Sequence, residues 1–335
     1  MRRETETRTT RRQCFNGNLN MKELFLLSCA EMRDGGGVYK YRLTEEGGLE
    51  KIAYFPVPKP MYSVWKGDRL HVLLRSPFES NDHSGYFSCK RDFSDCSDVK
   101  DTLGKCACHL AADKDVYIVN YLSGNIVKNC KKSVAHIGKG INQPRQDMPH
   151  THFVAFSPDK KYIFCCDLGL DTVFVYDGDL KEISRAKVPS GYGVRHLIFS
   201  EDGKYFFTVN ELIPSVSVFA YADGKAEYRN TVKLSCRIEN STAAAIRLDE
   251  REEKLYVSVR GEDEIFVFKV SGDELFFIRK FPCGGKNPRD FGILGEYIIC
   301  TNEGSDNVTV IDKKIGRIIG EISMKNPLNV TDASE

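Results

Sequence analysis

The sequence predicts an all-β fold, a seven-bladed β-propeller built from four-stranded antiparallel blades. A segment of strand, turn and strand recurs along the chain, and its copies begin at Phe156, Phe199, Ile246 and Phe291. The second strand of each copy ends at a polar residue, and these residues are 43, 50 and 42 positions apart: Asp167, Asn210, Arg260 and Asn302. Repeats of this length and content are typical of propeller blades.

The repeat divides the chain into units of blade length. Five clear units and two weaker ones are predicted: 96–135, 148–188, 190–232, 236–280 and 281–320, preceded by 21–50 and 51–90. Alternating side chains predict strands inside the units, as in 205–209, with Gly, Asp, Asn and Ser at the turns. A ring must close to hide its sheet edges, so we expect the first or the last strand to complete a blade shared by both termini.

Residues 1–20 precede the first predicted strand and are basic and rich in Thr. We expect them to be disordered or to follow a misassigned start, and we expect residues 21–335 to form a single propeller domain. The apolar run from Leu24 to Ala30 is short, and Glu31 follows it at once. These flanks favour a first strand over an export signal, and no run approaches the ~20 apolar residues of a membrane span.

Composition narrows the classes of partner. Lys and Arg number 48 against 47 for Asp and Glu, so no net field favours nucleic acid or an anionic membrane surface. The 12 cysteines are scattered through strands and turns, unlike a secreted disulfide framework, and they favour a cytoplasmic location. The expected partner is a small molecule, whereas the oligomeric state is left open.

Counting along the hairpins locates a candidate site. Within a hairpin, the residue that begins the first strand lies beside the residue that ends the second. Counting from the turn at Asp202 predicts Arg195 opposite Asn210 and Val194 opposite Glu211. The same construction predicts three further pairs: Thr151 with Asp167, Ala243 with Arg260, and Arg289 with Cys300.

These registers direct the polar residues to one end of the ring. The end is predicted to hold His109, Arg145, His150, His152, Arg195, His196, Glu211, Arg260, Arg289 and Asn302. Arginines can hold a carboxylate or phosphate in bidentate fashion, and a His or Glu beside them can move a proton or activate water. Positive groups placed where an oxyanion develops would stabilise a tetrahedral acyl intermediate. The set suits chemistry on a lactone.

Each of these residues also has a structural interpretation. A single Arg or His at a blade end often links neighbouring blades, and Asp167, Asn210 and Asn302 can cap turns through side chain to backbone bonds. Residues 106–109 contain two thiols and an imidazole but lack a second ligand pair at zinc spacing, which favours buried apolar cysteines. We therefore expect neither a metal nor a cofactor. Because many polar residues converge at one end of the ring, the case for a functional site is stronger than the case that any one of these residues makes alone.

The chain resembles the lactonase family of seven-bladed β-propellers. The resemblance covers residues 21–320, is strongest from residue 104, and is carried by segments that begin at Gly104, Arg145, Gly193, Asn240 and Lys286. The first two blades are degenerate, and Glu303 stands where the family usually has Gln.

The resemblance implies a lactone-handling active site at the rim. Matched residue by residue, it carries over to His150 or His152, Arg195 with His196, Glu211, Arg260 and Arg289. Together with the hairpin registers, this leads us to expect catalytic roles for His150, His152, Arg195 and Glu211, and substrate binding by His109, Arg145, His196, Arg260, Arg289 and Asn302. The leading hypothesis is metal-independent hydrolysis of 6-phospho-D-glucono-1,5-lactone to 6-phosphogluconate in the pentose phosphate pathway. Two alternatives remain, a cyclase or hydrolase of another sugar or muconate-type lactone, and a noncatalytic binding platform. Glu211, His150 and His152 all qualify as the general base.

Overall fold

The computed structural model describes residues 22–249, 251 and 253–333, so the predicted extension over residues 1–20 lies outside the described residues. The described strands form seven four-stranded antiparallel sheets arranged as the blades of a ring. The prediction of a seven-bladed β-propeller is confirmed.

Each blade runs from an innermost strand near the axis to an outermost strand at the rim. Blade 1 contains β28 (Pro327–Asp332), β1 (Lys22–Ser28), β2 (Gly37–Leu43) and β3 (Leu49–Pro56). Blade 2 contains β4 (Pro60–Lys66), β5 (Arg69–Leu74), β6 (Gly85–Lys90) and β7 (Lys100–Asp101). Blade 3 contains β8 (Ala107–Ala112), β9 (Val116–Asn120), β10 (Asn125–Lys128) and β11 (Lys132–Ala135). Blade 4 contains β12 (Thr151–Phe156), β13 (Ile163–Asp167), β14 (Thr172–Tyr176) and β15 (Glu182–Lys187).

Blade 5 contains β16 (Val194–Phe199), β17 (Tyr205–Asn210), β18 (Ser215–Ala222) and β19 (Lys225–Lys233). Blade 6 contains β20 (Thr242–Asp249), β21 (Lys254–Arg260), β22 (Glu264–Ser271) and β23 (Glu274–Pro282). Blade 7 contains β24 (Pro288–Leu294), β25 (Tyr297–Asn302), β26 (Asn307–Asp312) and β27 (Arg317–Ser323). Short 3-10 turns occupy Met32–Asp34, Leu168–Leu170 and Glu303–Ser305. The predicted boundary between residues 50 and 51 was wrong, because β3 runs through it.

Both faces of a blade are buried against neighbouring blades. In β17, Phe207 packs into a cluster with Val257 of blade 6, and Phe206 packs on the other side with Phe164 of blade 4. Full burial of one such side chain stabilises the fold by roughly 1.5–3 kcal/mol. The inner strands therefore stand at fixed positions around the axis, which holds their first residues in a ring.

The last strand, β28, closes the ring. It pairs with β1 as the innermost strand of blade 1. A buried polar network fixes it there: Asn329 accepts hydrogen bonds from the backbone and hydroxyl of Ser63 and donates to Asp290. Asp290 also accepts a hydrogen bond from Arg247 at 2.5 Å. Strand β28 is thereby tied to blades 2, 6 and 7, so the expected closure is made by the C-terminal strand.

A β-bulge interrupts the pairing near the start of every inner strand. In β16, Val194 lies opposite Asn210 and His196 lies opposite Val209, so Arg195 is an extra residue. Register shifts occur at the corresponding place in the other six blades. A bulge leaves one residue unpaired and turns its side chain out of the regular alternation.

Four of the five predicted pairs are wrong, whereas Thr151 does lie opposite Asp167. Arg195 has no partner in the ladder, and its predicted partner Asn210 pairs with Val194. In blade 6 the corrected pairs are Thr242 with Arg260 and Ala243 with Val259, and in blade 7 they are Pro288 with Asn302 and Phe291 with Cys300. In blades 5 and 6 counting from the turn misses the one residue of the bulge, which accounts for the errors there. In blade 7 the pair of Phe291 with Cys300 lies between the bulge and the turn, so the count itself was wrong by two residues.

We expect Asp290→Asn to reduce the free energy of unfolding by about 3 kcal/mol, because the half-buried Arg247 guanidinium loses its buried counter-charge. The measurement is urea unfolding at neutral pH. The matched control is Glu50→Gln, which removes an exposed carboxylate 3.9 Å from Arg42 and should change stability by less than ~0.5 kcal/mol. Equal stability of the two variants would show that the closing network contributes nothing.

Candidate active site

The bulges place seven equivalent side chains around one end of the axis. The extra residues in blades 1 to 7 are Leu328, Met61, Cys108, His152, Arg195, Ala244 and Arg289. In blade 6 the shift spans Ala244 and Ala245, and we take Ala244 as the equivalent position. Three of the seven are cationic or basic, and they come from blades 4, 5 and 7.

A second ring of seven residues lies beside the first. Each member follows or ends the second strand of its blade, and its backbone N–H pairs with the carbonyl two residues before the bulge. The members in blades 1 to 7 are Cys29, Arg75, Tyr121, Leu168, Glu211, Arg260 and Glu303. We call the fourteen positions of these two rings the mouth. The mouth is the end of the ring to which the hairpins were predicted to direct the polar residues.

Glu211 is the centre of an arginine cluster in the mouth. Its Oε1 accepts a hydrogen bond from Arg145 at 2.5 Å, and its Oε2 accepts one from Arg195 Nε at 2.9 Å. Arg260 Nη2 lies 3.0 Å from the same Oε2. One carboxylate therefore balances three guanidinium groups, so the cluster carries a net positive charge that suits an anionic ligand or a developing oxyanion.

The arginines keep Glu211 ionised. Burial alone would raise the pKa of this carboxyl group, but the charges of Arg260, Arg195 and Arg145 outweigh burial and hold its pKa well below the usual value. Burial lowers the pKa of Arg195 to about 9, against the opposing effect of Glu211. Arg195 thus remains a cation at neutral pH, and Glu211 is a weak base.

Three imidazole rings lie in a row next to the arginine cluster. The ring centroid of His196 is 5.3 Å from that of His152 and 5.6 Å from that of His109. Arg195 Nη1 lies 2.9 Å from His196 Nε2. A guanidinium can only donate, so Nε2 accepts and the neutral ring of His196 carries its proton on Nδ1.

The same three histidines are neutral. Burial lowers the pKa of His109, His152 and His196 well below 6.5, and the positive charge of Arg195 lowers it further. The buried Nδ1 atom of His152 has no hydrogen-bond partner among the described residues. His152 is therefore an unprotonated imidazole beside a cationic cluster, which is the state a general base requires.

His150 is held differently from His152. Its Nδ1 lies 3.1 Å from the carbonyl oxygen of Tyr121, and its Nε2 lies 3.3 Å from Asp147 Oδ1. Its ring stacks on that of Tyr121 with centroids 4.4 Å apart. Both nitrogens of His150 are engaged, so it supports Tyr121 rather than offering a free nitrogen to the mouth.

Arg289 completes the cationic side of the mouth. Its Nη1 lies 3.4 Å from Glu303 Oε2. Burial lowers the pKa of Arg289, but the carboxylates of Glu303 and Glu211 outweigh burial and raise it overall. Glu303 therefore pairs with Arg289 as Glu211 pairs with Arg195.

The structure brings seven of the ten predicted residues together, and places the other three elsewhere. His109 lies deeper in the axial channel, where it lines a cavity of about 660 Å³, and His150 is behind Tyr121. Asn302 does not join the mouth, because its side chain is fully buried and donates to Thr309 Oγ1 at 3.2 Å within blade 7. The group that comes together is Arg145, His152, Arg195, His196, Glu211, Arg260 and Arg289.

Asp167 and Asn210 were both proposed as turn caps, but their side chains make different hydrogen bonds. Asp167 accepts backbone hydrogen bonds from His150 and Leu170, as a cap does. Asn210 instead donates to the hydroxyls of Ser215 and Ser217. Among the described residues, no group of three or more His, Cys, Asp and Glu side chains is arranged to hold a metal ion.

Sequence reasoning missed several of the fourteen mouth positions, among them the polar residues Tyr121 and Arg75. Each occupies the register position of Glu211 in its own blade. The signal that could have found them is the polar or aromatic residue directly after the second strand. That signal was hidden in blade 2, which lacks the usual turn motif.

The fold and the mouth define a β-propeller whose central site can bind an anion and offers a neutral base. The family model described as Lactonase, 7-bladed beta-propeller matches residues 24–329. The chain belongs to this lactonase family.

Relatives and solved structures match this chain over most of its length. An uncharacterised Staphylococcus aureus protein is 33% identical over 320 residues, which are 85% of this chain and 92% of the relative. A crystal structure of a Lactobacillus plantarum protein has a TM-score of 0.84 at 26% identity, covering 93% of this chain and 99% of the other. A provisionally named 6-phosphogluconolactonase of Bacteroides fragilis has a TM-score of 0.83 at 24% identity, covering 93% and 98%. At that identity the likeness shows the fold alone.

A further solved structure carries a name from lactone chemistry. The periplasmic gluconolactonase of Pseudomonas aeruginosa has a TM-score of 0.82 at 22% identity, covering 93% of this chain and 99% of that one. Family membership supports a lactone hydrolase. Within the described residues, none of the helices has the length and apolar content that a membrane crossing requires.

We expect Glu211→Gln to be about 3 kcal/mol less stable than the native protein at pH 7, because the arginine cluster loses its carboxylate. The folded pKa of Glu211 lies below its ordinary value of 4.5. The stability that ionised Glu211 contributes is therefore complete above pH 4.5 and declines as the pH falls toward the pKa of Glu211 in the folded protein. Urea unfolding at pH 7 and pH 4 should show a smaller difference between the two proteins at pH 4. The control is exposed Glu201→Gln in the same blade, and a difference that does not change with pH would contradict the prediction.

Proposed function

We propose that this protein hydrolyses 6-phospho-D-glucono-1,5-lactone to 6-phosphogluconate. Membership of the lactonase family supports hydrolysis of a lactone. The observation that carries the proposal is the neutral His152 imidazole beside the cationic cluster of Arg145, Arg195 and Arg260 around Glu211. Such a site offers a base for water and positive charge for the oxygen that becomes negative.

In the proposed mechanism the lactone carbonyl lies against the guanidinium groups of Arg195 and Arg260. His152 takes a proton from water as the water oxygen bonds to the carbonyl carbon, and the carbonyl oxygen becomes an oxyanion stabilised by the arginines. The intermediate collapses by breaking the bond between that carbon and the ring oxygen. The imidazolium of His152 returns the proton to the leaving ring oxygen, and the acid product ionises to its carboxylate.

Glu211 has a different role in this mechanism from the one suggested by sequence. A carboxylate with a lowered pKa is a poor proton acceptor. Its hydrogen bonds to Arg145 and Arg195 orient the guanidinium groups instead. In the proposal Glu211 is therefore a positioning residue, and His152 is the general base.

The proposal places the reaction in the pentose phosphate pathway and in the cytoplasm, the compartment that the scattered cysteines favour. A second candidate substrate is an unphosphorylated sugar lactone. It is favoured by Glu303, which offsets the charge of Arg289 at the mouth. Comparing turnover of glucono-1,5-lactone with that of its 6-phosphate decides between the two.

We expect His152→Asn to lower kcat by about 10²–10⁴-fold, the usual contribution of a general base. The measurement is turnover of 6-phosphogluconolactone above its spontaneous hydrolysis. The control is His83→Asn, which changes a histidine that is paired with Asp101 and partly exposed. If the His152 variant keeps more than about a tenth of the native kcat, His152 is not the base.

The pH profile should reflect the neutral histidine. Because the folded pKa of His152 lies well below 6.5, its basic form persists to lower pH than that of an ordinary histidine. We expect kcat/KM to stay constant from pH 8 down to 6.5 and to fall only in more acidic buffer. An acidic limb centred at or above pH 6.5 would exclude this base.

The reaction is also predicted to be independent of metal ions. Dialysis against EDTA should leave kcat within about twofold of its starting value. Loss of activity that returns on addition of a divalent cation would overturn this part of the proposal.

A further inference from the structure

Arg75 occupies the mouth of blade 2 at the register position that Glu211 holds in blade 5. Its backbone N–H donates to the carbonyl of Lys59 at 3.0 Å. Its carbonyl accepts a hydrogen bond from Ser84 Oγ at 2.7 Å, and Ser84 Oγ in turn accepts from the N–H of Ala107 at 2.9 Å. The backbone of Arg75 is therefore fixed both to its own blade and to the first strand of blade 3.

The charge of Arg75 is not balanced by a carboxylate, whereas the charges of the arginines around Glu211 and of Arg289 are. Arg145, Arg195 and Arg260 share Glu211, and Arg289 pairs with Glu303. Arg75 is exposed. Among the described residues no carboxylate lies within ion-pair distance of its guanidinium group. It is thus available to bind an anionic group of a ligand.

Arg75 also acts on the interior of the mouth. Burial raises the pKa of the Cys29 thiol to about 11, and the positive charges of Arg75 and Arg289 oppose that rise. The same two arginines oppose the rise at Cys106. The guanidinium group of Arg75 is therefore close enough to act on the same thiols as Arg289, on the side of the mouth formed by blades 1 to 3.

The two sides of the mouth carry different kinds of side chain. Blades 1 and 2 are the two blades farthest from blade 5 in a ring of seven, so Arg75 lies across the axis from Arg195 and Glu211. The bulge residues on the side of the mouth formed by blades 1 to 3 are buried and apolar: Leu328, Met61 and Cys108. A ligand that spans this mouth meets an arginine cluster at one side and a single unbalanced arginine at the other.

We infer that Arg75 binds the phosphate group of a sugar-phosphate lactone whose ester lies against Arg195, an assignment that rests on the proposed function. A guanidinium group can hold a phosphomonoester through two parallel hydrogen bonds. In the 1,5-lactone the carbon that carries the phosphomethyl group is bonded to the ring oxygen of the ester, so the phosphate and the carbonyl oxygen project from two different sides of the ring. Arg75 and Arg195 likewise lie on two different sides of the mouth. Arg75 is therefore the residue that selects phosphorylated over unphosphorylated lactones.

The test combines turnover with binding in Arg75→Ala, Arg75→Lys and the control Arg33→Ala. Arg33 is an exposed arginine at the same end of the ring, with 86% of its side chain accessible. The ratio of kcat/KM for 6-phosphogluconolactone to that for glucono-1,5-lactone should fall by about 10- to 100-fold in Arg75→Ala and by less in Arg75→Lys. Arg33→Ala should leave the ratio unchanged. Calorimetric titration with 6-phosphogluconate and with inorganic phosphate should show a comparable loss of affinity in Arg75→Ala.

The outcomes separate this inference from the proposed function. If native protein hydrolyses the lactones but Arg75→Ala keeps the native ratio and the native affinity, the role of Arg75 is wrong and the lactonase proposal stands. If native protein hydrolyses neither lactone yet binds phosphate through Arg75, the lactonase proposal is wrong and the anion site stands. Phosphate binding that is equal in all four proteins overturns the assignment whatever the turnover shows.

Discussion

One backbone feature determines the mouth of this propeller, the single extra residue near the start of each inner strand. The ladder is intact on both sides of the bulge, so the position contributes little to strand pairing. Its side chain can therefore vary without disturbing the blade. His152, Arg195 and Arg289 use the position for polar chemistry, whereas Leu328 and Met61 use it for an apolar wall. The same backbone device thus produces both sides of the site.

Burial of charge sets the electrostatic character of the mouth. A buried ion is tolerated when its neighbours compensate it, and Glu211 is compensated by three guanidinium groups that also need it. Burial, reinforced by the surplus positive charge, makes protonation of the nearby imidazoles unfavourable, which leaves His152 and His196 neutral. The arginine cluster therefore does two things at once, since it attracts an anion and keeps the adjacent base ready to accept a proton.

The sequence predicted the ring, its blade count and the end at which the polar residues converge, because repeat length and strand alternation can be read from the order of the residues. It did not predict the bulges, since an extra residue in a strand has no signature of its own, and Arg195 was therefore paired with the wrong partner. Asn302 was misplaced for a related reason. Composition does not distinguish an amide that faces the mouth from one that bonds to Thr309 inside a blade. Arg75 was hidden because blade 2 has lost the turn motif on which the alignment of repeats depended.

Closure of the ring depends on the strand that is synthesised last among those described, β28. Strand β28 is the last described strand to leave the ribosome, yet it is the innermost strand of the first blade. Until it emerges, the edge of β1 is unpaired, and Asp290 and Ser63 lack their common partner Asn329. The nascent chain can build blades 2 to 7 in turn, but it cannot complete the circle around the axis. The mouth therefore reaches its final form only after translation has passed the end of β28, and products shortened before that point contain the arginines without the closed ring that holds them.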